Sequence, residues 1–187
     1  DARKHLAQAM EVRAELVSLV GANPATPEGK ALSDLDRHLE EFEKNAIANG
    51  AKVHWARDAA EHNQIVLGIL EGCGARLLVK SKSMLTDECE MRPFLAARGV
   101  EVVETDLGER IQQLDDEPPS HIVLPSVHKL RQDVAQVFGR TIGTDPDNSD
   151  PHYLAESQRQ NTRPYFIGAE AGMTGAIVHV SKIKPLH

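Results

Sequence analysis

Arg76-Leu-Leu-Val-Lys80 and Val100-Glu-Val-Val-Glu104 decide the fold. Both are short apolar runs with a charged residue at the end, as a strand buried in the middle of a sheet should read. Between them, Thr86 starts a predicted helix that ends near Gly99. Two strands joined through a helix pair in parallel, because an antiparallel pair needs only a tight turn.

The same alternation extends outward on both sides. Ala51-Lys-Val-His-Trp55 reads as a short strand, and Asp58 caps a helix through Ile65, Leu67 and Leu70 that stops at Gly72 and Gly74. Leu107 to Leu114 reads as a short helix and His121-Ile-Val-Leu124 as a strand. Ser126 is the expected cap of a helix through Leu130, Val134 and Val137 to Gly139. The expected fold class is α/β, a largely parallel sheet flanked by helices. Further on come a polar loop from Gly143 to Pro151 and a helix over His152 to Asn161. A glycine-rich turn from Gly168 to Gly175 and a last strand over Ala176 to Val180 follow.

Before Ala51 the pattern is helical only. Leu6, Met10, Leu16, Val17 and Val20 recur at helical spacing up to Gly21. Two prolines and two glycines within Gly21 to Lys30 make a linker, where Thr26 before Pro27 is a helix cap followed by a first-turn proline. A long charged helix then carries Leu32, Leu35, Leu39 and Phe42 on one face and closes at Gly50. The expected division is a helical appendage over residues 1–50 and an α/β domain over 51–187.

Composition narrows the function classes. The chain has 187 residues, 41% hydrophobic and 26% charged, so it can bury a core; with aromatics at 4%, that core is aliphatic. Lys plus Arg number 21 against 28 Asp plus Glu, a net charge of −7, which argues against a nucleic-acid partner held by a basic face. No apolar run approaches the roughly 20 residues of a membrane span, and Asp1 to Met10 lacks a signal-peptide core, so the expected location is the cytoplasm. Two cysteines, Cys73 and Cys89, exclude a disulfide framework and a four-cysteine zinc site. An iron–sulfur cluster needs about four thiolates, so no cofactor is expected in this chain. The nine histidines show no H-x-x-x-H or H-E-x-x-H ligand spacing, and no metal is expected. No G-x-S-x-G elbow marks a serine nucleophile.

Ligands of parallel sheets bind beyond the carboxyl ends of the strands. Two such ends are chemically rich. Lys80, Ser81, Lys82 and Ser83 offer two ammonium groups, two hydroxyls and backbone amides for a small carboxylate or phosphate, or else form a solvated loop. Glu104, Asp106 and Glu109 offer three carboxylates for general base work or for capping the next helix. Glu104 and Asp106 are the candidate catalytic groups, and Glu109 joins the lysine loop as a candidate ligand contact. Gly172, Thr174 and Gly175 are a candidate backbone-amide cradle for an anion, or a plain turn.

Five segments in order carry a resemblance. They are Ala51-Lys-Val-His-Trp-Ala-Arg-Asp-Ala-Ala60, Val79-Lys-Ser-Lys-Ser-Met84, Val102-Val-Glu-Thr-Asp-Leu-Gly-Glu109, Glu117-Pro-Pro-Ser-His-Ile-Val123 and Gly172-Met-Thr-Gly-Ala176. Together they resemble the lactate-utilisation (LUD) domain, in the variant of the iron–sulfur subunit of the bacterial L-lactate utilisation complex. The resemblance runs from about Ala31 to Ala176. It implies a fold similar to the NagB/RpiA/CoA-transferase-like domains. It also implies other subunits of the complex as partners, and [4Fe–4S] clusters in a C-terminal region of the full-length subunit. The family pattern continues after Ala176 as an apolar strand and an Ala-Glu-Thr-Gly element, whereas this chain reads Ile-Val-His-Val-Ser-Lys-Ile-Lys-Pro-Leu-His187. The expectation is therefore a piece of a longer protein, a truncated or frameshifted product, or a divergent short homologue. An exposed sheet edge would then favour self-association.

The leading functional expectation is the LUD portion of an electron-transfer subunit that takes part in oxidising lactate to pyruvate. The alternatives are a transferase or isomerase domain for a CoA ester or sugar phosphate, by fold analogy alone, and a non-catalytic scaffold that docks partners.

Overall fold

A computed structural model of the chain describes residues 26–121, 124–174 and 177–179. The helix expected over Leu6 to Val20 lies outside the described residues. The chain divides at Ile65/Val66 into two compact units.

In the first unit, α1 (Pro27–Ser33) starts as the sequence predicts, with Thr26 Oγ1 accepting from Gly29 N at 3.1 Å. The long charged helix is two helices, because the chain turns at Asp34 before α2 (Leu35–Ala48). No residue of α2 is buried, and Phe42 is 57% exposed, so the expected apolar face is not a core face. Residues 51–56 correct a second expectation, since they belong to no strand. Trp55 instead donates its indole N–H to Glu43 at 3.0 Å, tying this extended segment to α2. Asp58 caps α3 (Ala59–Cys73) as expected, accepting from Glu61 N at 2.8 Å, and α3 continues through the division into the second unit.

The second unit is built on β1 (Leu77–Lys80), β2 (Glu101–Glu104), β3 (Ala171–Thr174) and β4 (Ile177–His179), in the spatial order β2-β1-β3-β4. β1 pairs in parallel with both β2 and β3, and only β4 runs antiparallel. The fold class is thus α/β with a largely parallel sheet, as the sequence predicts. One helix expected between β1 and β2 is two, α4 (Met84–Glu88) and α5 (Met91–Ala96), broken where Glu90 takes a left-handed conformation at φ 49°. Gly74 and Gly99 end the helices before β1 and β2 at φ 70° and 76°, a backbone region that glycine enters without a Cβ penalty.

After β2 come α6 (Leu107–Asp115), α7 (Arg131–Ile142) and α8 (Pro151–Gly168). α7 begins after Leu130, not at Ser126, because residues 125–128 form turns. Of the expected strand His121–Leu124, both described ends lie outside any strand; Ile122 and Val123 lie outside the described residues. Gly172 to Thr174, expected in a turn, sit in β3. No described helix is long and apolar enough to cross a membrane.

Two apolar clusters form the core, one against a sheet face and one among α6, α7 and α8. Leu78, Val102, Ala171 and Met173 point to one face and pack with Val66, Leu67 and Leu70 of α3 and Met91 and Leu95 of α5. On the other side α6 packs on β2 and α8 on β1. There Ile111, Ala135, Val137, Phe138 and Leu154 form the second cluster. Strand residues alternate between faces, so Lys80 follows Leu78 and Glu104 follows Val102 onto the α3/α5 face.

Candidate functional site

The parallel register sets Lys80 directly opposite Glu104 at the carboxyl ends of β1 and β2. The Lys80 ammonium lies 2.9 Å from both Glu104 carboxylate oxygens and 3.4 Å from Asp87 Oδ1 on α4. Lys80 is 1% exposed and Glu104 4%. Backbone bonds hold this corner: Thr105 donates its amide and its hydroxyl to Lys80 O at 2.8 Å each, and Ser81 N donates to Met173 O at 2.8 Å. Burial raises the Glu104 carboxyl above its ordinary pKa; Lys80 opposes the rise, and the competing Asp87 charge adds to it.

A second pair lies one step further out. Asp106 caps α6, accepting from Gly108 N at 3.3 Å, and Glu109 sits in the first turn of the same helix. Glu109 is buried at 3% exposure, and neither of its carboxylate oxygens has a hydrogen-bond partner among the described residues. Lys82 Nζ stands 3.7 Å from Glu109 Oε1. Burial, together with the neighbouring Asp106 carboxylate, raises the Glu109 carboxyl to about 7. A second negative charge close by disfavours the ionised form of a buried carboxyl. Among the described residues Ser83 Oγ and Asp87 Oδ2 are likewise buried without a hydrogen-bond partner.

The site residues expected from sequence fall into three groups. Lys80, Lys82, Glu104, Asp106 and Glu109 form two charge clusters, Lys80 holding Glu104 and Lys82 approaching Glu109. Ser81 and Ser83 lie in the same loop, Ser81 spending its amide on the sheet. Gly172 and Thr174 do not make an open cradle, because β3 is laddered to β1 at Gly172 and to β4 at both positions. Gly175 lies outside the described residues.

Sequence reading missed the supporting residues. Gln113 donates to Val102 O at 2.6 Å and accepts from Glu104 N at 3.0 Å, fixing the end of β2 to α6. Arg110 donates to Gln113 Oε1 at 2.6 Å and to Asn161 Oδ1 on α8 at 2.9 Å. The available signal was the polar run Glu109-Arg-Ile-Gln-Gln113 in a short helix that must still pack on a sheet. Gly108 lets the loop at Pro125 close onto α6: an added Cβ would meet Pro125 Cγ at 2.8 Å. Ser126 then donates to Gly108 O at 2.7 Å and accepts from Gln112 Nε2 at 2.9 Å.

Glu117, Ser120 and His128 also line up, with His128 Nδ1 2.7 Å from Ser120 Oγ and Nε2 3.3 Å from Glu117. This row is a loop clasp and not an activated serine. Ser120 Oγ donates its only proton to Pro125 O at 2.7 Å, so the histidine must donate to it instead of serving as its base. Glu117 is held below the ordinary carboxylate range, first by Lys129 and then by His128.

Fold and clusters define an α/β domain whose ionisable groups converge at the carboxyl ends of parallel strands. The sequence pattern of the family described as LUD domain matches residues 39–182, and the chain belongs to that family. It is 42% identical over 145 residues to lactate utilization protein B of Macrococcus caseolyticus and equally to that of Geobacillus thermodenitrificans. It is 38% identical over 144 residues to a protein named uncharacterized electron transport protein YkgF of Escherichia coli. Each match covers 77% of this chain and 30% of the relative, so the chain spans under a third of the length of these curated relatives. No solved structure matches the chain.

The residues here do not fit the four-iron clusters that the family resemblance implies for a full-length subunit. Such a cluster takes about four thiolates, and this sequence has Cys73 and Cys89 alone. Both thiols are half-buried, and Cys73 donates to Leu70 O at 3.2 Å. Among the described residues no three His, Cys, Asp or Glu side chains group to hold a metal ion.

Proposed function

We propose that this chain is the LUD-domain portion of an iron–sulfur electron-transfer subunit that takes part, in the cytoplasm with other subunits of its complex, in the oxidation of L-lactate to pyruvate. Its own contribution is to bind the small acid and to hold the proton of the acid's hydroxyl at the carboxyl edge of the sheet. The observation that carries the reading is that the family match over residues 39–182 contains both charge clusters.

The two clusters divide the work. Lys80 is a positioning residue: its charge is already met by Glu104 and Asp87, and it fixes the Glu104 carboxylate in the strand corner. Glu109, paired with Asp106 and titrating near neutrality, has the proton affinity that a group exchanging a proton at physiological pH requires. Lys82, its side chain 36% exposed beside Glu109, is the cation within reach of an incoming acid.

Deletion of the coding gene from its host tests the reading. Growth on L-lactate as sole carbon source is expected to stop and growth on glucose to continue, with the intact gene restoring the first. Undiminished growth on L-lactate overturns it.

A further inference from the structure

Arg110 is a buried cation with no carboxylate within ion-pair distance among the described residues. It is 6% exposed, and its two hydrogen bonds go to the neutral amide oxygens of Gln113 and Asn161. Its Nε–H is buried with no partner among the described residues. The Tyr165 ring stands 5.5 Å from the guanidinium carbon and supplies a weak attraction without a counter-charge. A guanidinium taken out of water is costly unless its charge is answered and its donors are filled.

A second unfilled donor lies on the helix that Arg110 touches. Gln158, also 6% exposed, keeps Nε2 buried and without a partner among the described residues. Gln158 and Asn161 are three residues apart in α8, and Tyr165 follows four later, so all three share one face of that helix. Arg110 reaches this face through Asn161 and Tyr165. The same guanidinium is tied through Gln113 to the end of β2 beside Glu104. Two buried donors without a partner among the described residues, one of them cationic, therefore stand on the two helices, α6 and α8, that the Arg110–Asn161 bond joins.

We infer that Arg110 and Gln158 form a recognition subsite for the carboxylate of a small monocarboxylic acid. A carboxylate supplies the missing charge and accepts Nε–H together with a terminal N–H, the two-bond fork that guanidinium and carboxylate share. The Gln158 amide donates to a remaining lone pair. At 6% exposure for each, neither donor is open to an acidic side chain on the surface of another protein. The inference rests on the proposed lactate reading for the identity of the acid, a 2-hydroxy or 2-oxo acid; carboxylate recognition rests on the two donors themselves.

The test is calorimetric titration of the 187-residue chain with L-lactate, pyruvate and methyl L-lactate, alongside Arg110→Gln, Arg110→Lys and Gln158→Leu variants checked for folding by circular dichroism. The wild type is expected to bind both acids and not the ester. Affinity should fall at least about tenfold in Arg110→Gln, and also in Arg110→Lys, which keeps the charge but loses the fork. Gln158→Leu, which leaves Arg110 in place, is expected to weaken binding less and keeps the test open if the arginine variants do not fold. Wild-type affinity in the folded variants, equal binding of the ester, or no binding of either acid to the wild type overturns the subsite. Unchanged affinity in the variants beside loss of lactate growth on gene deletion overturns the subsite alone. Carboxylate binding that depends on Arg110 beside undiminished lactate growth overturns the lactate reading alone.

Discussion

Lys80 and Glu104 face each other across the β1/β2 ladder, with the ammonium 2.9 Å from both carboxylate oxygens. Parallel pairing puts these last residues side by side, and their common parity puts both on one sheet face. The charge pair at the edge is therefore a direct consequence of strand register.

Removing Lys80 leaves Glu104 and Asp87 close together without their shared cation. Lys80→Ala is expected to destabilise the chain by about 3–5 kcal/mol, the cost of orphaning a buried charge. Lys80→Met combined with Glu104→Leu removes both charges and is expected to recover most of that loss. Urea denaturation of the single and double variants measures the difference; a double variant no more stable than Lys80→Ala contradicts the ion-pair account.

Glu109 gives a pH signature. Its carboxyl is raised to about 7 in the folded chain against an ordinary 4.5. The folded state then binds the proton more tightly than the unfolded state. The stability it contributes is complete below about pH 4.5 and is lost as pH rises through about 7. Glu109→Gln mimics the protonated form, so it is expected to stabilise by about 1–2 kcal/mol at pH 8, after discounting for screening at the edge, and by nothing at pH 4. Thermal melts at the two pH values check the sign. A variant equally destabilised at both contradicts it.

Glycine substitutions separate crowding from free space. Gly108→Ala drives a Cβ into the Pro125 ring and is expected to cost about 1–3 kcal/mol. It should also speed amide exchange at Val127, whose N–H bonds to Leu124 O at 3.1 Å in the displaced loop. Gly68→Ala, in the middle of α3 with nothing within 4 Å, is expected to stabilise by about 0.8–1 kcal/mol through helix propensity. Denaturation midpoints moving in the same direction for both contradict this reading.

How far the sequence carries the fold depends on how local each cause is. β1 and β2 are legible because Leu77 to Val79 and Val102 to Val103 are apolar on both faces, the mark of a covered parallel sheet. The break between α4 and α5 is partly visible, since Pro93 sits in the first turn of the second helix, but the left-handed turn at Glu90 follows from packing. Residues 51–56 have strand composition, yet Trp55 is claimed by Glu43. β3 was hidden because Ala171 to Thr174 has weak strand propensity and is recruited by its neighbour β1. In the site, Lys80, Lys82, Glu104, Asp106 and Glu109 stood out because strand ends are where ligands meet such sheets. Arg110 did not, because its meaning lies in Asn161 and Gln158, about 50 residues further along the chain.

The most direct test of the central claim returns a Lys82→Ala, Glu109→Gln double variant to a host lacking the gene and follows growth on L-lactate. The substitutions leave the Lys80–Glu104 pair in place, so the protein is expected to accumulate to its normal level. Loss of lactate growth at that level is the predicted result. Wild-type growth would contradict the account, because it would mean that the carboxyl-edge cluster plays no part in lactate use.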